Sequence, residues 1–82
     1  MKKLNLEDPN RGIDPNREYP PHQQRVVDEA KELAIKGDAL AAFILDNPTF
    51  NTLSPEEQSI LRRQLSAMID YHNILEERII NF

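Results

Sequence analysis

The sequence has no cysteine. That excludes a disulfide framework and any thiolate metal site, and it fits a reducing cytoplasm without requiring one. Glycine is scarce, at two residues, so there is no Gly-rich loop to cradle a phosphate. Only two histidines occur, His22 and His72. They form no His-x-x-x-His or Glu-x-x-His spacing, so no metal site is expected within one chain. Positive charge is also in short supply: ten Lys and Arg stand against fourteen Asp and Glu, for a net charge of −4. Nonspecific binding to DNA or RNA needs a positive field along the phosphates, so neither is an expected partner. No apolar run approaches the roughly 18 residues of a membrane span. No apolar stretch follows Lys2 and Lys3, so neither a membrane nor a secretory route is expected.

What remains is a chain of 82 residues, one domain at most, with ordinary apolar and charged content. The strongest local signal begins at Ser54. Ser54, Pro55 and Glu57 form a capping-box pattern, with proline at the first helical position. Behind it Leu61, Leu65, Met68, His72, Leu75 and Ile79 follow at spacings of 4, 3, 4, 3 and 4, an apolar seam along one side of a helix. His72 sits in that seam, which suits a core or interface histidine better than a ligand. Ser54 has no neighbouring base to activate it, so it reads as a cap and not a nucleophile. No catalytic constellation is found, and an enzyme is not expected.

A second seam precedes it. Val26, Ala30, Leu33, Gly37, Leu40 and Ile44 repeat the same spacings. Pro21 suits a helix start, and Asn47 before Pro48 should end the helix near Asp46. Antiparallel packing pairs Ile44 with Leu61, Leu40 with Leu65, Gly37 with Met68, Leu33 with His72, Ala30 with Leu75 and Val26 with Ile79. All six levels fall in one register. Gly37 then faces the adaptable Met68, although a kink at Gly37 is a competing reading. Phe50 and Leu53 should plug the closed end, with Leu53 placed as a hydrophobic staple.

The expected fold is therefore all-α: an antiparallel two-helix hairpin with an extended N-terminal leader. The leader covers 1–20, the first helix about 21–46, the turn 47–53 and the second helix about 54–81. The leader region up to Pro21 holds four of the six prolines, and its Asp8-Pro9-Asn10-Arg11 returns as Asp14-Pro15-Asn16-Arg17. Each copy suits a type I turn. These are either plain surface turns or turns that present Arg11 and Arg17. Further apolar residues flank both seams, among them Val27, Ala34, Ile35 and Leu45, and then Ile60, Tyr71, Ile74 and Ile80. That surface is too wide for a lone hairpin, so assembly into an oligomeric helical bundle is expected.

Arg25 and Arg78 fall at the open end of the hairpin, where the leader arrives with Tyr19, His22 and Gln23. Arginine and tyrosine together suit a nucleotide, the first for phosphate and the second for a base. The expected ligand-binding residues are Arg25 and Arg78 on phosphate, Tyr19 stacked on a base, and His22 or Gln23 hydrogen-bonded to the base or ribose. The alternative is an ordinary solvated face, with the two arginines paired to Asp28, Glu29, Glu76 or Glu77.

The runs Pro21-His22-Gln23-Gln24-Arg25-Val26-Val27-Asp28-Glu29 and Glu77-Arg78-Ile79 to Phe82 add a resemblance. With Phe43, Phe50, Gln58, Gln64 and Tyr71 between them, residues 21–82 resemble a family of small phage proteins related to an early crAss-like phage gene product. His72 and Glu76 stand where that family often has Ser and Gly. The architecture is also similar, in size and shape, to phage helical-hairpin proteins that oligomerise and sequester nucleotide signals of bacterial immunity. The resemblance implies a non-enzymatic counter-defence protein in the cytoplasm of an infected bacterium. It would need no cofactor or metal, and would bind itself and a cyclic or ADP-ribose-type nucleotide. The alternative is an adaptor or inhibitor that binds a host protein through its helix faces.

Overall fold

The computed structural model describes Ile13 and residues 16–82. Both Lys2 and Lys3, and the first copy of the leader repeat with Arg11, lie outside the described residues. Two long helices, α1 (Pro21–Asp46) and α2 (Pro55–Ile80), are joined by a 3-10 turn (Pro48–Thr52) and pack on each other as an antiparallel hairpin. At 1.5 Å per residue each helix is roughly 39 Å long. The molecule measures 45 × 25 × 18 Å, so it is long and thin and encloses few side chains.

Each boundary has a local cause. Pro20 precedes α1 in extended conformation, and Pro21 opens the helix where its missing N–H is not needed. Asn47 takes extended dihedrals before Pro48 and stops α1. The Asn47 side chain then accepts from the Thr49 N–H at 2.9 Å and starts the 3-10 turn. The Ser54 hydroxyl accepts from the Glu57 N–H at 3.1 Å and caps α2. At the far end, the Asn81 side-chain amide donates to the Glu77 carbonyl at 2.7 Å.

The closed end holds a small plug. Phe50 is 2% exposed and meets Phe43 edge to face at 6.1 Å. The Arg62 guanidinium covers its ring at 5.0 Å. Gln58, one turn into α2, donates to the carbonyls of both Phe50 and Leu53 at 3.1 Å. The turn is thus held by side chains of the helix that it precedes.

The main core lies at the open end. Val26, Val27, Ala30, Leu75 and Ile79 form one buried cluster. It contains two levels of the expected register, Val26 with Ile79 and Ala30 with Leu75. Ile13, Tyr19, Leu33 and Phe82 pack against it, so the leader contributes to a core that the helices alone would leave open. His72 is 2% exposed, within the seam. Toward the closed end, Leu40, Ile44, Leu61, Leu65 and Met68 remain only half-buried.

Helix α1 runs unbroken through Gly37, which is buried. Gly37→Leu should therefore overpack the seam and destabilise by roughly 1–3 kcal/mol. Adding Met68→Ala should recover part of that loss in urea melts. Strict additivity of the two changes would place them apart.

Candidate functional site

The five residues singled out above all lie near the open end, but they do not share one face. Val26 and Ile79 point into the seam. Successive helical residues turn about 100°, and the helices are antiparallel. Arg25 and Arg78, each one residue before its seam position, therefore fall on the same side of the hairpin. Both are exposed. Neither is engaged in an ion pair or hydrogen bond among the described residues. The alternative, in which they pair with Asp28, Glu29, Glu76 or Glu77, is not seen among the described residues; Asp28 accepts from the Gln24 side chain at 2.8 Å. His22, roughly one turn before Arg25, is exposed on that side too.

Gln23 is two residues from Arg25, about 200° around α1, and so lies on the opposite side. It is half-buried, and its Oε1 is a buried acceptor without a hydrogen-bond partner among the described residues. Tyr19 sits across the end of the hairpin. Its ring meets Phe82 edge to face at 6.1 Å, and the Arg17 guanidinium lies 4.8 Å above it. Arg17 also donates to the Phe82 carbonyl oxygen at 3.1 Å. The leader is thereby fastened to Phe82, just past α2, by one charged hydrogen bond and one edge-to-face ring contact.

Arg17, expected either in a plain surface turn or in a turn that presents it, is instead packed on Tyr19. A signal was available: in extended backbone, residues two apart share a face, which joins Arg17 to Tyr19. Its contact changes what Tyr19 can do, because one face of the ring is already occupied by a cation.

An open depression of about 550 Å³ lies at the other end, lined by Ala39, Ala42, Phe43, Asp46, Asn47 and Pro48. It holds no cation and has a carboxylate on its rim, so it does not suit an anion. Among the described residues no cluster of three or more metal-ligating side chains occurs. No helix there is long and apolar enough to cross a membrane.

Comparison with known proteins agrees with the phage resemblance. A protein of Enterobacteria phage T4, described as an uncharacterized 7.5 kDa protein of the denB-rIIB intergenic region, is 39% identical over 61 residues. The match spans 74% of this chain and 94% of that protein. No solved structure matches. The model of the Sequestin family matches residues 20–81, which takes in both helices, His22, Gln23, Arg25 and Arg78 and stops short of Arg17 and Tyr19. The chain belongs to the Sequestin family.

Proposed function

We propose that this protein is a non-catalytic phage protein that sequesters a small nucleotide signal, cyclic or of the ADP-ribose type, inside the infected bacterium. The family's name supports a sequestering role, and the T4 relative supports a phage setting. The observation that carries the nucleotide part is the pair Arg25 and Arg78. Two guanidinium groups from different helices stand exposed on one side of the open end, with no partner among the described residues. In a protein of net charge −4, acidic neighbours were available and are not used. Such forks suit phosphate oxygens.

In this reading Arg25 and Arg78 hold the phosphates, and His22 reaches the base or ribose from the same side. Tyr19 walls the end of the site. Gln23 takes part only for a ligand that extends round the first turn of α1. Sequestering requires no bond to be made or broken; protein in excess of the signal is enough, and the hairpins would assemble to build the site. The second reading, an inhibitor of a host protein, draws on Ile35 and Leu45, which are 59% and 79% exposed.

Calorimetry against cyclic dinucleotides, cyclic trinucleotides and cyclic ADP-ribose isomers tests the proposal. Binding should be stoichiometric, and the ligand should be recovered intact after denaturation. Arg25→Ala should weaken affinity roughly 10- to 150-fold, the effect of losing one charged hydrogen-bonded contact. No heat with any of these ligands would shift the case to the host-protein inhibitor.

A further inference from the structure

Each seam position of α2 is preceded by a residue of a second stripe. Ile60, Gln64, Ala67, Tyr71, Ile74 and Arg78 have the spacings of the seam, about 100° round the helix from it. Every one of them is exposed. Three of them are large and apolar: Ile60 and Tyr71 are 45% exposed and Ile74 is 54% exposed. A helix with two seams at heptad spacing has two packing faces, and the hairpin uses only one.

We propose that a second copy of this chain docks on this stripe, with the two α2 helices antiparallel about a two-fold axis between Ala67 and Tyr71. The proposal rests on the reading that the hairpin self-associates, and it supplies the face and the register. Three features favour a copy of the chain itself over a foreign partner. The first is shape. The antiparallel register sets Ala67 against Tyr71 of the partner subunit, and the reverse pair forms across the axis. Small faces large at the centre, the arrangement that interdigitates best. Gln64 meets Ile74 of the partner subunit, and Ile60 meets the aliphatic stem of Arg78 of the partner subunit.

The second feature is charge. Arg63 flanks the first half of the stripe and Glu77 the last half, and both are exposed. The antiparallel register brings Arg63 beside Glu77 of the partner subunit, twice by symmetry. A parallel register would place these flanks on opposite sides of the interface, so Arg63 and Glu77 would not meet. Asp70 meets its own copy near the axis, one like-charge contact against two favourable pairs. The third feature is the site. Arg25 and Arg78 lie on the same side of the hairpin as this stripe, so a docked copy walls the open end of one chain with the closed end of the other. The dimer then holds two equivalent sites, each with Arg78 between chains.

Light scattering during chromatography at micromolar concentration should give a mass of at least two chains; a 9.5 kDa species would overturn the proposal. Arg63→Glu and Glu77→Arg should each raise the dissociation constant roughly tenfold, since each sets two like-charge pairs in place of two favourable ones. The double variant, with both charges exchanged, should restore it. Both positions are exposed, so circular dichroism should show helices intact throughout. The natural absence of cysteine permits a direct register test. Mixed and oxidised, Ala67→Cys and Tyr71→Cys chains should form the heterodimeric disulfide in preference to either homodimer. A dominant Ala67→Cys homodimer, or failure of the charge exchange to rescue, would overturn this face. The two readings fail separately: the cross-link and the mass report on the face, and nucleotide calorimetry reports on the sequestered ligand.

Discussion

Leu75→Ala is expected to lower the unfolding free energy by about 2–5 kcal/mol, the range for removing a buried leucine side chain. Leu75 is 1% exposed and belongs to the cluster with Val26, Val27, Ala30 and Ile79. That cluster is most of what the hairpin has by way of a sealed core. At about 0.05–0.15 kcal/mol per residue, a domain of this size has a total stability of the same order as the loss. The variant should therefore be substantially unfolded at 37 °C in circular dichroism, with its midpoint rising with protein concentration if association compensates. Leu65→Ala is the comparison. Leu65 lies in the same seam but is only half-buried, so its loss should cost clearly less. Equal costs at the two positions would mean that the open end is not the dominant core.

Phe50→Ala should lower stability by about 3–5 kcal/mol, as for other buried phenylalanines. Here the loss is concentrated at the closed end. Phe50 contacts the Phe43 ring and the Arg62 guanidinium, and its own carbonyl is tied to Gln58. Truncation empties the plug but leaves both Gln58 hydrogen bonds possible. Hydrogen exchange should show the last turns of α1 and the first turns of α2 opening well before the Leu75 cluster. Arg62→Ala alone should cost no more than about 1 kcal/mol, the value of an exposed cation–π contact. Combined with Phe50→Ala it should add nothing further, because the two share one interaction. A loss below about 1 kcal/mol for Phe50→Ala would show that the 3-10 turn stands on its backbone and the Gln58 clamp alone.

The helices, their limits and their mutual direction are properties of the sequence. Pro21, the Asn47-Pro48 pair and the Ser54 cap act on their own backbone neighbours, and the helices start and stop at them. The two seams share one spacing, and an antiparallel hairpin is what a short connection between two such helices permits. Tertiary structure decided which parts of the seams become dry. Periodicity treats Ala30 with Leu75 and Leu40 with Leu65 as equivalent levels. The first pair is buried and the second half-exposed, because Ile13, Tyr19 and Phe82 close over the open end. They lie outside the periodic helices, and no local rule says where extended segments come to rest. The same holds for the candidate site. Sequence brought Tyr19, His22, Gln23, Arg25 and Arg78 to one end. Only the packed hairpin leaves the two arginines without acidic partners among the described residues and sets Arg17 on the face of Tyr19. Those outcomes depend on the angle about each helix axis and on a contact spanning nearly the whole chain, from Arg17 to Phe82. Spacing along a chain determines the first only when the buried direction is known, and it carries no information about the second.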